Sequence, residues 1–267
     1  MTPSGFTAIE SRHNERFKYA VRLARLNGGR RREERIFLDG VHLIQSYLAR
    51  FEANLVEVYV TQDASAKPEV ERILARLSGH QVFVLSPSLM NELAVVDSPV
   101  GIVAVAPQPS IAGKQAPDNR FWLVLEGVQD PGNMGSILRT AAASGVNQVW
   151  LARGCTDPWA AKCLRGGMGA QFLLPVAMQP RIADALAAFQ GSILATVPTG
   201  GTPLYRADLR GDVALLFGGE GAGLSTEILA LAKARVSLPM SAGVESLNLG
   251  AAVAACCFER LRQLQFG

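Results

Sequence analysis

The stretch that most constrains the fold is an apolar strand followed directly by a turn and a helix. Phe121–Leu125 is a continuous apolar run, typical of a strand that is covered on both faces of a parallel sheet. Asp130-Pro131-Gly132 has turn chemistry, because proline presets φ and glycine tolerates positive φ. The sequence therefore predicts a strand, a Pro-Gly turn and a helix that opens at Asn133, whose side chain is a good N-cap.

Asn133 and Arg139 make this turn a candidate site. Ligands of open α/β sheets bind outside the carboxyl ends of the strands, and this turn lies at such an end. Arg139 falls within the predicted helix, and a buried or half-buried arginine there needs an anion as partner. In the alternative interpretation, Asn133 only caps the helix and Arg139 only pairs with a carboxylate. The stretch taken alone favours neither.

Two further polar constellations follow predicted strands in the second half of the chain. The loop Gly218–Leu224 is rich in glycine and carries Glu220. Because that carboxylate disfavours a pyrophosphate on backbone N–H groups, the loop suits a ligand with amino or hydroxyl donors; a plain surface turn is the alternative. After the strand Ala234–Leu238, Ser246 is predicted to cap the terminal helix, with Asn248 beside it at the helix start.

The composition indicates a folded protein with two domains. Of the 267 residues, 49% are hydrophobic and 18% are charged, which suits a sizeable core. Short alternating strands and helices predict a small α/β sandwich over residues 1–106, a Pro- and Gly-rich linker over 107–118 and a second α/β domain over 119–267. No apolar run approaches the ~20 residues of a membrane span, and the N-terminus lacks a secretory pattern, so we expect a cytoplasmic protein.

Residues that commonly bind metals are few and scattered. The three histidines lie far apart in sequence, so no metal centre is expected. No two cysteines have the spacing of a zinc or redox motif, and free buried thiols are predicted. The cysteines are Cys155, Cys163, Cys256 and Cys257.

Positive charge is concentrated near the N-terminus. Up to Arg50 there are ten basic and five acidic residues, a larger excess than the +3 of the whole chain. This asymmetry favours a polyanionic partner, most simply nucleic acid, with a solvated basic helix as the alternative. The candidate RNA contacts are Arg16 and Arg22 on a predicted amphipathic helix, Arg30, Arg31 and Arg32 after it, and Arg165 in a glycine-rich stretch.

Together the three constellations resemble the SpoU (TrmH) family of RNA ribose 2′-O-methyltransferases, within the SPOUT superfamily. The resemblance is close from about Phe121 to the C-terminus, and the first half resembles the substrate-binding domain of many members. The matching residues, in the family's order, are Asn133-x-Gly135 with Arg139, then Gly218-x-Glu220-Gly221-x-Gly223, then Ser246-Leu247-Asn248 after Leu238-Pro239-Met240.

The resemblance implies an α/β SPOUT domain with a parallel sheet and a deep trefoil knot, a homodimer, and no metal. It implies 2′-O-methylation of structured RNA, with ribosomal RNA favoured over transfer RNA because of the separate N-terminal domain. Arg139 would contact the RNA and aid loss of the 2′-hydroxyl proton. The implied catalytic residues are Asn133, Arg139, Glu220, Ser246 and Asn248. The implied S-adenosylmethionine contacts are Thr196, Gly218, Gly219, Leu238, Met240 and Leu247.

Two other functions are compatible with parts of the sequence. One is an RNA-binding protein that has lost catalysis, although all five implied catalytic residues are intact. The other is a nicotinamide-dependent oxidoreductase with a Rossmann sheet. Against it, Gly219-x-Gly221 is followed three residues later by Leu224 and not by glycine, and Glu220 stands inside the loop.

Overall fold

The chain forms two compact units. The computed structural model describes residues 6–25, 34–52, 56–77, 81–111, 119–179, 181–187 and 189–266. The first unit comprises Met1–Ser110 with Trp159–Phe172, and the second comprises Ile111–Pro158 with Leu173–Gly267. The sequence did not predict that Trp159–Phe172 packs with the first unit. In the described ranges, no helix combines the length and apolarity that a membrane span requires.

A mixed sheet organises the first unit. Its strands and helices, numbered along the chain, are β1 (Thr7–Ile9), α1 (Glu15–Arg25), β2 (Arg35–Asp39), α2 (Val41–Leu48), β3 (Glu57–Thr61), α3 (Gln62–Ser65), α4 (Pro68–Leu74), β4 (Val82–Leu85), α5 (Pro87–Leu93), β5 (Ile102–Pro107) and α7 (Ala161–Gly167). The sheet order is β1-β4-β3-β5-β2. Strands β1, β4 and β3 pair in parallel, and β5 is antiparallel to both of its neighbours.

The amphipathic helix predicted near the N-terminus is confirmed as α1. Its buried residues are Phe17, Ala20, Leu23 and Ala24, at the spacing that places them on one helical face. They share a core cluster with Tyr59 of β3 and Ala161 of α7. That shared core explains why α7 belongs to this unit, although it follows the linker in sequence.

A seven-stranded sheet, parallel at every pairing, organises the second unit. Its elements are β6 (Phe121–Glu126), α6 (Pro131–Ala143), β7 (Gln148–Leu151), β8 (Val176–Met178), α8 (Ile182–Ala187), β9 (Ser192–Thr196), β10 (Thr202–Pro203), β11 (Val213–Gly218), α9 (Thr226–Leu229), β12 (Ala234–Ser237) and α10 (Leu249–Phe266). The order is β10-β12-β9-β11-β6-β7-β8. Val213–Phe217 in the centre is at most 1% exposed, which explains its uninterrupted apolar sequence.

Two predicted helix starts are wrong. Helix α6 begins at Pro131 rather than Asn133, and Asp130 is its N-cap, with Oδ1 accepting the Asn133 N–H at 2.7 Å. Proline suits the first helical position, because its φ is fixed and no N–H is left unpaired there. Helix α10 begins at Leu249, and Asn248, rather than Ser246, accepts an N–H of its first turn, from Ala251 at 3.3 Å.

A buried arginine ties α10 to two other segments of the second unit. Arg260 is 1% exposed, and its guanidinium donates to the carbonyls of Leu209, Asn119 (3.0 Å) and Gly211 (2.8 Å). It also lies over the Phe121 ring, 4.7 Å from the centroid. Burial lowers the pKa of Arg260. A buried cation is stable there because backbone acceptors and an aromatic face replace its hydration.

The cysteines are free, as predicted. Three are buried and Cys155 is half-buried. Burial raises the pKa of Cys256 and of Cys257 to about 12, so both thiols stay protonated and unreactive at neutral pH.

Candidate active site

Side chains from the three constellations meet beyond the carboxyl ends of β6 and β11. Glu220 Oε1 accepts hydrogen bonds from Asn133 Nδ2 at 3.1 Å and from Asn248 Nδ2 at 3.0 Å. The Asn248 amide also donates to Asn133 Oδ1 at 3.2 Å, and the Leu249 N–H points to Glu220 Oε1 at 3.4 Å. Residues up to 115 positions apart in the chain therefore form one closed hydrogen-bonded cluster, which we call the amide–carboxylate cluster.

The glycines beside this cluster allow two backbones to approach closely. A Cβ on Gly218 would run into the backbone of Gly223 and Leu224, and one on Gly219 would run into the Gly127 carbonyl. Gly223 has φ of +67°, which turns the chain back on itself. The loop needs glycine at Gly218 and Gly219 for close backbone packing and at Gly223 for the turn. Because these residues have no side chains, the loop backbone is open to a ligand.

A cavity of about 430 Å³ lies on one side of the glycine loop. Its walls come from the ends of β9, β11 and β12, from the segment before α10 and from α10 itself. All six residues implied as cofactor contacts line it: Thr196, Gly218, Gly219, Leu238, Met240 and Leu247. Glu220 and Ser246 also contribute to its lining.

A second cavity, of about 460 Å³, shares the wall Gly219–Gly223 with the first. Asn133, Asp130 and Glu126 line it. Glu126 was not identified from the sequence, although a carboxylate that ends a buried strand is the kind of feature that could have revealed it. Its Oε2 accepts the Ser225 N–H at 2.7 Å, which ties the end of β6 to the segment after the glycine loop.

Two of the implied catalytic residues do not join the amide–carboxylate cluster. Arg139 is exposed, rather than half-buried, and has no hydrogen bond or ion pair to any residue in the described ranges. Ser246 is exposed beside the first cavity. The cluster thus contains Asn133, Glu220 and Asn248 of the five implied catalytic residues.

The candidate RNA contacts of the first unit have protein partners. Arg16 Nη1 lies 3.0 Å from Glu57 Oε1, and the Arg22 guanidinium lies 5.2 Å from the centroid of the Tyr19 ring. The glycine-rich stretch that contains Arg165 begins in the last turn of helix α7, and Arg165 Nη1 is 3.5 Å from Asp39 Oδ2. Arg30, Arg31 and Arg32 lie outside the described residues.

Comparison with known proteins assigns the family. The sequence pattern that defines the SpoU rRNA Methylase family matches residues 120–258. An uncharacterized tRNA/rRNA methyltransferase of Synechocystis sp. is 34% identical over 263 residues, which is 97% of this chain and 95% of the relative. The chain belongs to the SpoU family. Membership confirms the predicted enzyme class, an RNA methyltransferase, and its cofactor, S-adenosylmethionine.

Other members resemble this SpoU protein over nearly their whole length. The 23S rRNA (guanosine(2553)-2′-O)-methyltransferase RlmP of Bacillus subtilis is 28% identical over 248 residues, 92% of this chain and 96% of RlmP. The crystal structure of the SpoU methyltransferase AviRb from Streptomyces viridochromogenes, in complex with AdoMet, is 25% identical with a TM-score of 0.83. That match covers 95% of this chain and 99% of AviRb, and it confirms the predicted α/β fold with a parallel sheet.

Proposed function

We propose that this SpoU protein transfers a methyl group from S-adenosylmethionine to the 2′-hydroxyl of a ribose in RNA. The observation that carries the proposal is the amide–carboxylate cluster, because Glu220 lines both adjoining cavities. Methyl transfer is an in-line displacement between two bound molecules, so their relative position supplies much of the acceleration. A rigid cluster between two cavities is suited to that task.

The residues of the first cavity fit the cofactor. Its volume of about 430 Å³ falls in the usual range for small-molecule sites. Leu238, Met240 and Leu247 offer apolar walls to an aromatic base, and the glycine backbone at Gly218 offers hydrogen-bonding groups without side chains in the way. When bound, S-adenosylmethionine supplies a methyl group activated by its sulfonium.

In this proposal, the amide–carboxylate cluster orients the substrate. Three donors converge on Oε1 of Glu220, which fixes the plane of the carboxylate. Its Oε2 accepts no hydrogen bond from a described residue and is available to a ribose hydroxyl. Asn133 and Asn248 hold the carboxylate in place, and Ser246 contributes from the cofactor side.

Arg139 acts through its charge rather than as a base. A guanidinium stays protonated in proteins and binds phosphate oxygens in a bidentate manner. We assign Arg139 to the RNA backbone at the reacting nucleotide, where it stabilises the negative charge that develops as the 2′-hydroxyl loses its proton.

The position of Arg139 favours a homodimer in which the site is shared. It follows Asn133 by six helical positions, which is an advance of ~9 Å and a rotation of about 120°. Arg139 therefore does not share the helical face of Asn133, and it makes no hydrogen bond to the cluster of its own chain. The exposed side chains Phe258 (48%), Leu264 (43%) and Phe266 (79%) on α10 offer apolar area for a subunit contact. We propose that Arg139 of each subunit acts at the cluster of the other.

Three further properties belong to the same proposal. We propose that the C-terminal end forms a deep trefoil knot; in support, β12 lies between β10 and β9, and Asn248 after it bonds to Glu220. The domain 1–106 binds the RNA substrate, with Arg16 and Arg22 among its contacts, and Arg165 of α7 is a further RNA contact. The enzyme works in the cytoplasm and needs no metal.

Ribosomal RNA is the proposed substrate. The name of RlmP gives a guanosine of 23S rRNA as its target, and the match to RlmP spans both halves of this chain. Transfer RNA is the second candidate, because the name of the Synechocystis relative gives both RNA classes.

The test is transfer of tritiated methyl groups from S-adenosylmethionine to unmodified RNA transcripts. Label is expected in ribosomal RNA, at a position that resists alkaline cleavage because its 2′-hydroxyl is blocked. A transcript with 2′-deoxyribose at that position should accept no label. Label in the deoxy transcript would contradict ribose methylation, and label only in transfer RNA would replace the proposed substrate by the second candidate.

A further inference from the structure

A small surface cavity of the second unit contains an aromatic side chain that is held out in solvent. Tyr205 is 64% exposed, whereas Leu204 before it is fully buried. Both belong to a 3₁₀ turn, Leu204–Arg206, that follows β10. The cavity, of about 220 Å³, is lined by Tyr205, Arg206, Ala207, Asp208, Arg210 and Gln263.

The floor of this cavity is fixed by α10. Gln263 accepts the Leu209 N–H and donates to the Ala207 carbonyl, both at 2.9 Å. Arg260 binds the Leu209 carbonyl from the buried side. Tyr205 is therefore presented on an ordered backbone, so the protein loses little conformational entropy when a ligand packs on its ring.

The two arginines of the cavity differ in their partners. Arg210 donates two hydrogen bonds to the Asp208 carboxylate, at 2.8 and 3.1 Å. Arg206 is exposed and makes no hydrogen bond or ion pair within the described part of the chain. An exposed aromatic ring beside an uncompensated guanidinium suits unpaired nucleotides, because bases stack on the ring and phosphates bind the cation.

The turn that carries Tyr205 starts at the edge of the sheet where the candidate active site lies. From there the cavity extends toward the amino ends of the strands, where Arg260 holds Leu209 beside Gly211 and Asn119. Pro203 of β10 is in register with Ser237 of β12, and Ser237 lines the 430 Å³ cavity. Since neighbouring strands lie ~4.8 Å apart, the turn that carries Tyr205 begins beside that wall. An RNA strand with one ribose in the active site can run from this wall along the edge strand β10 to the cavity.

We propose that Tyr205 and Arg206 form a second RNA-binding site, which takes an unpaired nucleotide of the substrate outside the active site. The base stacks on the Tyr205 ring, and Arg206 binds the adjoining phosphate. The inference rests on the proposed function, because RNA methylation is what brings a nucleotide strand to the second unit. Arg206 favours RNA over a second copy of this chain, since no described carboxylate compensates its charge.

The test compares four variants of the full chain: Tyr205→Ala, Tyr205→Phe, Arg206→Gln and Arg210→Gln. Dissociation constants are measured by filter binding to unmethylated ribosomal RNA transcripts over a range of salt concentrations. Tyr205→Ala is expected to weaken binding about tenfold and Tyr205→Phe less than about twofold, because phenylalanine keeps the stacking face. Arg206→Gln should lower the slope of log affinity against log salt concentration by about one. Arg210→Gln should change that slope less, because Arg210 is already paired with Asp208.

Any other result contradicts the proposed second RNA-binding site in part or as a whole. Equal RNA affinity for Tyr205→Ala and the wild type would overturn it. Equal losses in Tyr205→Ala and Tyr205→Phe would show that the hydroxyl, and not stacking, is used. A lower molar mass by light scattering in Tyr205→Ala would assign the cavity to a subunit contact. Failure of the wild type to methylate any RNA would refute the proposed function, and the binding comparison would still decide this inference.

Discussion

Helices α1 and α6 both carry arginines that the sequence assigned to RNA, yet their surroundings differ. On α1, Arg16 pairs with Glu57 and Arg25 donates to the Glu92 carbonyl. On α6, Arg139 has neither a hydrogen bond nor an ion pair to any described residue. The charge excess of an N-terminal segment therefore overstates its attraction for a polyanion, because acids distant in sequence compensate it. A single uncompensated arginine is the more specific indication of a functional contact.

The largest expected effect is at Arg139. Arg139→Ala should lower the rate of methyl transfer about 100- to 1000-fold, as expected when a charge-stabilising donor is lost. Binding of S-adenosylmethionine, measured by calorimetry, should not change. Arg139→Lys should recover only part of the rate, because an ammonium lacks the bidentate geometry of a guanidinium.

Mixing two inactive variants tests whether Arg139 acts across subunits. Arg139→Ala and Asn248→Ala are combined in equal amounts after subunit exchange. Half of the dimers are then mixed, and each mixed dimer has one complete site if the sites are shared. About a quarter of the wild-type rate is expected on that basis. No recovery, despite mixed dimers detected by mass spectrometry, would place Arg139 in the site of its own chain.

An intermediate effect on RNA binding is expected at Glu57, the acid that pairs with Arg16 of α1. Glu57 Oε1 lies 3.0 Å from Arg16 and 3.6 Å from Arg35. Glu57→Gln should strengthen RNA binding about threefold and steepen its salt dependence by about one, because cations are released for phosphate contacts. Glu71→Gln removes the same charge from an exposed position without an ion pair among the described residues. Equal effects of both variants on RNA affinity would show that overall charge, and not the pairing, matters.

The smallest effect concerns the partner of Arg165. The Asp39 side chain is 1% exposed, and its burial raises its pKa, an effect that the Arg165 guanidinium opposes. The folded state therefore binds the Asp39 proton more tightly than the unfolded state, so stability falls as the pH rises above the unfolded value of about 4. Asp39→Asn should raise the free energy of unfolding at pH 7 by at most about 1 kcal/mol.

Thermal unfolding at several pH values checks this prediction. The difference in melting temperature between Asp39→Asn and the wild type should disappear below about pH 4, where the native carboxyl is also protonated. A variant less stable than the wild type at pH 7 would mean that the attraction to Arg165 exceeds the cost of burial.

The sequence predicted what burial and local chemistry determine. The apolar runs of β6 and β11 identified both strands, because each lies inside the parallel sheet and is covered on two faces. The start of α6 was wrong because Asp130 and Asn133 are both good caps, and only the preference of Pro131 for the first helical position separates them. Strands β1 and β10 were missed, since two or three residues at a sheet edge acquire their conformation from pairing partners.

The resemblance to the SpoU family predicted more of the candidate active site than the local sequence patterns did. The motif residues Asn133, Glu220 and Asn248 form one hydrogen-bonded cluster, although no local signal relates positions so far apart. The partner of Arg165 could not be predicted, because its carboxylate, Asp39, lies in another domain of the sequence. Whether Arg139 is exposed depends on which face of α6 packs against the sheet. The sequence did not define that face, because it placed the start of the helix at Asn133 and not at Pro131.

Arg260 has a consequence for biosynthesis. Its guanidinium binds the carbonyl of Asn119, 141 positions earlier in the chain, and those of Leu209 and Gly211. These carbonyls gain their buried donor only after the chain has been synthesised through α10, because the donor is Arg260. Until then the entry to β6 is an unsatisfied backbone segment. The second unit therefore cannot complete its fold until α10 has left the ribosome.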